Sequence, residues 1–212
     1  MATTMTSGQS LTPKGLATRE RIIEAAAKLI YERGVHLTSN ENVRQEAGVS
    51  GSQLTRHFPT KEALVHAVIE WRAEKVIEGH QVPPFGRLDS ITALRRWART
   101  YTDRDDMVCG GCSFGSLAAE VIKTGPAVRS EVAEGFARWS ELFRSGLQSM
   151  RDRGELNSAA DPQQLATMLM AAFQGGMLLD QAAGDTTALR QSLAGVISYI
   201  ETFAAAPAGT QD

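Results

Sequence analysis

The chain has 212 residues, of which 42% are hydrophobic and 22% charged, and its net charge is −2. That length accommodates one large domain or two small ones with a substantial core, and the near-neutral balance excludes a protein that coats nucleic acid by bulk positive charge. No run of about eighteen apolar residues exists, so no membrane span is expected.

The charge is uneven. Residues 11–75 carry 10 Lys and Arg against 8 Asp and Glu, whereas 76–212 carry 12 against 16. A mildly basic head on an acidic body suits a site-specific binder that relies on a few placed cations. Helical periodicity recurs and strand signals are scarce, so the chain is expected to be all-α.

The first segment, 1–15, is polar and lacks the basic-then-apolar pattern of a secretory signal. It reads as a disordered arm of a cytoplasmic protein. Pro13, Lys14 and Arg19 leave open a contact of this region with DNA.

Val43 and Ala47, four apart, give a short helix its buried stripe, with Thr38, Ser39 or Asn40 as its cap. Gly48 stops that helix, because glycine takes the left-handed backbone of a C-cap without a Cβ penalty. Ser50 caps the next, two-turn helix, in which Leu54 and Phe58 point inward. Ser52, Gln53, Thr55, Arg56 and His57 are left on its other faces. A helix, a tight turn and a second helix form a helix-turn-helix, and the exposed set suits a duplex. Gln53 matches an adenine edge, Arg56 a guanine edge, and Ser and Thr reach bases or phosphates. Lys61 opens the following helix, whose free amides favour an anion. The same spacing also fits a helical pair on the surface of an unrelated α-protein.

Downstream, a helix spans 61–78, and Pro83-Pro84 with Gly86 break the chain between His80 and Leu88. Asp89 or Ser90 caps a helix to Tyr101, and a charged loop follows to Gly111. Further helices cover 113–123 and, after Gly125-Pro126, 127–153. Asp161-Pro162 starts a helix over 162–183, and a last helix covers 186–203. The run 204–209 reads as a frayed tail. Leu165, Met168, Leu169, Ala172, Gly176 and Leu179 form one apolar stripe, and Leu193, Val196, Ile197 and Ile200 another. Both stripes fit either core packing or a dimer surface. A helix-turn-helix needs two copies to meet successive major grooves.

Residues from Leu16 to Trp71 resemble the DNA-binding domain of the TetR family of bacterial transcriptional regulators. The resemblance rests on Thr18-Arg19-Glu20-Arg21-Ile22-Ile23-Glu24-Ala25-Ala26, Leu29-Ile30, Gly34, Thr38-Ser39, Val43, Ala47-Gly48-Val49-Ser50, Leu54, His57-Phe58 and Lys61-Glu62-Ala63-Leu64. It covers about a quarter of the chain. It implies a three-helix DNA-binding head over 16–76, joined by a long helix to a helical effector-binding and dimerisation body over 77–204. The tail is then 205–212. It further implies a homodimer through a four-helix interface of the last two helices, bound to a pseudo-palindromic double-stranded operator. Its DNA-contact candidates are Ser50, Ser52, Gln53, Thr55, Arg56, His57 and Lys61, with Thr38 near a phosphate. Three positions depart from the family's pattern. Gly51 replaces a common basic residue, and Thr55 a frequent aromatic. Arg44 stands where a small residue packs, as an added backbone contact or a solvated charge.

The resemblance also implies an effector pocket in the body, with Trp97, Tyr101, Phe114, Leu117, Phe136, Trp139, Phe143 and Phe173 as lining candidates. By spacing alone these aromatics read equally as core. No charge cluster calls for an ionic ligand, so a small, mainly apolar effector that releases a repressor is expected, with no cofactor.

Cys109-Gly110-Gly111-Cys112 holds both cysteines. A zinc site needs two further ligands; His80, Asp103, Asp105 and Asp106 are the nearest candidates, and no metal is expected. A thioredoxin-like site needs a βαβ context that is absent. A structural role remains, as does an electrophile or redox sensor. The sensor reading comes from resemblance of Gly111-Cys112 and Gly115-Ser116-Leu117-Ala118-Ala119-Glu120 to a subgroup of the family. A cysteine at a helix N-terminus has a lowered thiol pKa, and Cys109 would resolve Cys112 as a disulfide. An enzyme is the remaining rival, but no nucleophile elbow, phosphate loop, HExxH or convincing carboxylate pair supports it.

Overall fold

Short polar residues and glycines punctuate the chain, and the computed structural model places nine helices between them among the residues it describes, 12–103 and 111–205. The expected arm through residue 11, Cys109 and the tail from residue 206 lie outside the described residues. No strand occurs among the described residues; a single bridge pairs Leu156 with Ala204. The chain divides into two compact units, Met1–Val68 and Ile69–Asp212.

In the first unit, α1 (Pro13–Arg33) opens on Thr12, whose hydroxyl accepts from the Gly15 amide at 3.2 Å. Its buried stripe, Ile22, Ile23, Ala26, Leu29 and Ile30, recurs at three- and four-residue spacing. Ser39 is the cap of α2 (Asn40–Ala47), in a capping box with Asn42. Gly48 adopts φ 62°, ψ 41° and ends α2, so any side chain there meets left-handed strain. Ser50 caps α3 (Gly51–His57), and Lys61 begins α4 (Lys61–Gln81). Val43, Val49, Leu54, Phe58, Leu64 and Val68 complete the core of this unit. Each such buried side chain contributes about 1.5–3 kcal/mol over an exposed one.

The second unit takes in the rest of α4 and five more helices. α5 (Ile91–Thr102) buries Ala93, Leu94, Trp97 and Ala98 and turns its three arginines outward. Ser90, rather than Asp89, caps it. α6 (Ser113–Val121) and α7 (Pro126–Asp152) follow. Asp161 caps α8 (Pro162–Ala183) by accepting from the Gln163 and Gln164 amides at 2.9 and 3.3 Å. α9 (Thr187–Glu201) lacks a bond from its own N-cap side chain, Thr186. Asp180 of α8 supplies it instead, accepting from the Ala188 and Leu189 amides at 2.9 and 3.1 Å. Gly176 lets the two helices meet, since a Cβ there would lie 2.6 Å from the Leu189 Cα.

One expectation changes, and one alternative that the sequence left open is divided. His80 falls inside the last turn of α4 rather than in a break, because its ring is buried and bonds back to the Val76 carbonyl one turn earlier. Most of the two apolar stripes is core: Leu165, Leu169, Gly176, Leu193, Val196, Ile197 and Ile200 are buried within one subunit. The apolar groups left exposed on α8 and α9 are Leu178, Leu179 and Tyr199, beside the small residues Ala171, Gly175, Ala194 and Gly195.

Candidate nucleic-acid interface

The turn between α2 and α3 is held by backbone and side chain together. The Val49 amide donates to the Arg44 carbonyl, and the Ser50 hydroxyl accepts from the Gln53 amide at 3.2 Å. Gln53 answers by accepting, through Oε1, from the Ser50 amide at 2.8 Å. Half of the glutamine amide expected on a base edge therefore closes the helix start, and its Nε2 donor is the group left over. Ser52 lies 3.0 Å from the Ser50 hydroxyl. Gly51, Ser52, Gln53, Thr55 and Arg56 form a continuous exposed face of α3.

Other candidates are tied down locally. Thr38 is buried, and its hydroxyl donates to the Gly34 carbonyl at 2.8 Å, which fastens the connection between α1 and α2. With its one hydroxyl hydrogen committed there, its backbone amide is the donor left for a phosphate. Arg44 forks onto Glu41 at 2.5 and 2.8 Å and reaches the Val49 carbonyl at 3.5 Å. With Arg44 and Gln45 bonded to it, the Glu41 carboxyl is held down to about 2. Arg44 thus braces its own helix. Lys61 donates to the Val35 carbonyl at 2.7 Å. Its charge stays at the N-terminus of α4, but its position is set by that bond.

His57 is half-buried, and its Nε2 is enclosed without a partner among the described residues. Burial lowers its pKa, and the cations of Arg56 and Arg19 lower it further. Burial and the two neighbouring cations thus favour the neutral ring. Arg19 lies 5.2 Å over the Phe58 ring, a cation–π contact. Of the cations expected at the DNA, Arg44, Arg56 and Lys61, the one without a side-chain hydrogen bond among the described residues is Arg56, flanked by Thr55 and Ser52.

In the body, the expected lining residues gather into one aromatic cluster. Trp97 meets Phe143 at 4.8 Å and Phe173 at 5.3 Å, Tyr101 meets Phe173 at 4.8 Å, and Phe114 meets Phe136 at 4.7 Å. Trp97, Phe114, Leu117, Trp139, Phe143 and Phe173 are buried, while Tyr101 and Phe136 are half-exposed. A cavity of about 430 Å³ opens beside this cluster, lined by His80, Gly86, Leu88, Leu142, Ser145 and Ser149 among others, and none of the eight candidates lines it.

Cys112 caps α6, its Sγ accepting from the Gly115 amide at 3.3 Å and from Gln174 Nε2 at 3.5 Å. The expected lowering of its pKa is reversed: burial pushes the thiol up and outweighs those two donors. Cys109 lies outside the described residues. Among the described residues, no cluster of three or more His, Cys, Asp or Glu could hold a metal ion. What the sequence did not show is the partnership of His80, which accepts from two tryptophans of other helices; no local pattern signals one of that kind.

Residues 22–68 match the family model "Bacterial regulatory proteins, tetR family", and residues 87–196 match "Tetracyclin repressor-like, C-terminal domain". The HTH-type transcriptional repressor DhaR of Mycobacterium sp. (strain GP1) is 24% identical over 167 residues, which is 76% of this chain and 80% of the relative. The HTH-type transcriptional regulator UidR of Escherichia coli (strain K12) is 24% identical over 79% of this chain and 83% of its own length. Among solved structures, a TetR transcriptional regulator from Chloroflexus aurantiacus J-10-FL superposes with a TM-score of 0.76 at 28% identity, covering 91% of this chain and 98% of that one.

Proposed function

The chain belongs to the TetR family of bacterial regulatory proteins, and from that premise we propose that it represses transcription as a homodimer on a pseudo-palindromic operator until a small, mainly apolar effector releases it. Membership makes it a helix-turn-helix transcriptional repressor rather than an enzyme. Regulators of this family bind DNA and act as dimers. The finer assignments that follow are proposals.

The single observation that carries the DNA reading is the exposed face of α3, with Arg56 free among the described residues while Gln53 and Ser50 are occupied with each other. Arg56 reads a guanine edge, Thr55 and Ser52 contact bases or phosphates, and the Gln53 Nε2 donor supplements them. Lys61 adds charge at the start of α4. Arg44, Thr38 and His57 hold the motif in shape.

The exposed Leu178, Leu179 and Tyr199, set among Ala171, Gly175, Ala194 and Gly195, support a dimer surface on α8 and α9. Small residues there allow close helix approach while the larger groups supply apolar area. The effector reading is supported by the aromatic cluster and by the cavity beside it. An effector works by preferring the state that does not bind DNA. The cysteine-sensor alternative has weaker support, because the Cys112 thiol is buried and its pKa is raised; unchanged diamide response in Cys112→Ser removes it. The reading requires the cytoplasm as location, and no helix among the described residues is long and apolar enough to cross a membrane.

Fluorescence anisotropy on the DNA upstream of the gene tests the reading. Affinity should fall steeply with salt, and Arg56→Ala should weaken binding about 10- to 100-fold, consistent with about 1–3 kcal/mol per bidentate base contact. Unchanged affinity in Arg56→Ala removes that assignment. Leu178→Glu should shift the protein from dimer to monomer in sedimentation and abolish tight binding.

A further inference from the structure

We propose that His80 is an acid-sensitive latch on the C-terminal end of α4: protonation of its Nε2 converts the acceptor shared by two buried indoles into a donor and frees the last turn of α4 from α5 and α7. The inference is independent of the effector reading.

The geometry assigns the tautomer. Nδ1 lies 2.7 Å from the Val76 carbonyl oxygen, which only accepts, so Nδ1 carries the hydrogen. Nε2 then holds a lone pair. It accepts from Trp97 Nε1 of α5 at 2.9 Å and from Trp139 Nε1 of α7 at 3.3 Å. The Tyr101 hydroxyl stands 3.5 Å away. An indole N–H donates and nothing else, so neither tryptophan can adapt if Nε2 gains a proton. Three donors would then converge on one point inside the core, and two buried indole N–H groups would lose their acceptor.

The surroundings offer the charged ring no compensation. Phe85 stacks on it at 4.9 Å from the connection after α4, and Phe143 of α7 meets it edge-on at 6.2 Å. Of the described groups bonded to or stacked on the imidazole, from α4, the connection, α5 and α7, Tyr101 is the titratable one and none carries a charge. Arg87 and Asp89, which line the cavity that His80 also lines, are paired with each other at 2.9 Å. Burial lowers the His80 pKa from its usual 6.5, and the opposing hydrogen bond to Val76 is the smaller effect. The folded state therefore holds fewer protons than the unfolded one below about pH 6.5. The stability contributed by the neutral ring is complete above that pH and is lost as the pH falls below it.

Trp97 and Trp139, two of the three tryptophans in the chain, report the event directly. Tryptophan fluorescence and near-UV circular dichroism of the full-length protein are recorded from pH 8 to 5, with far-UV circular dichroism tracking helix content. Wild type should show a reversible tertiary transition with its midpoint below 6.5 while the helices persist. His80→Gln, whose amide oxygen still accepts but does not titrate, should lack it. The same transition in His80→Gln, or wild-type spectra that stay flat until the helices melt, overturns the proposal. If His80→Gln does not fold, 15N-histidine NMR of the wild type decides. A second proton taken up by His80 with helices intact supports the latch, and a ring neutral down to unfolding overturns it.

Discussion

In the head, polar side chains close helix ends from within three residues: Ser39 with Asn42, Ser50 with Gln53, Thr60 with Ala63. In the body the decisive polar bonds cross the chain. Asp180 caps α9 from eight and nine residues away, Trp97 reaches His80 over 17 residues, and Trp139 does so over 59. The contrast follows from helix length. The seven-residue α3 has few internal bonds relative to its unsatisfied ends, so its caps decide whether it forms. The 22-residue α8 has ends that matter less, and its stability comes from the face it buries.

The largest test of this contrast is Phe143→Ala. It removes a fully buried ring that touches Trp97 and His80, and it should cost about 3–5 kcal/mol. Urea unfolding followed by tryptophan fluorescence measures it; a loss below about 1 kcal/mol would mean that the cluster repacks freely. Next comes Asp180→Ala, which leaves the two buried amides at the start of α9 without their acceptor. The expected cost is about 1–3 kcal/mol, read as a shift of the urea midpoint. Ser50→Ala should cost about 1 kcal/mol by removing the acceptor of the Gln53 amide; the Gln53 side chain keeps its bond to the Ser50 backbone amide, and operator affinity changes through the loosened helix start. Equal operator affinity in Ser50→Ala would separate the cap from DNA reading. The smallest effect belongs to Glu46→Gln. It breaks an exposed pair with Lys28 at 2.6 Å, and the thermal midpoint should stay within error, since water and salt screen such pairs.

The same contrast explains what could be read without coordinates. The caps at Ser39, Ser50, Ser90 and Asp161 and the left-handed Gly48 sit where the one-dimensional pattern puts them, because each depends on neighbours a few residues away. The helix ends at Gly125-Pro126 and Gly154 were legible for the same reason. The roles of Thr38, Gln53 and Lys61 were not. Each is polar and well placed for DNA, and each also bonds a backbone group whose position the folded head sets. The Cys112 position at a helix start was legible, whereas its raised pKa depends on how deeply α6 and α8 enclose it.

The sequence by itself determined the all-α class, the helix-turn-helix and its family, since hydrophobic period and cap chemistry are local properties of the chain. Tertiary structure decided which faces of α8 and α9 are core and which are free, and it gave His80 its two indole partners. Those outcomes depend on which distant helices meet, and helical periodicity marks an apolar face without naming what covers it.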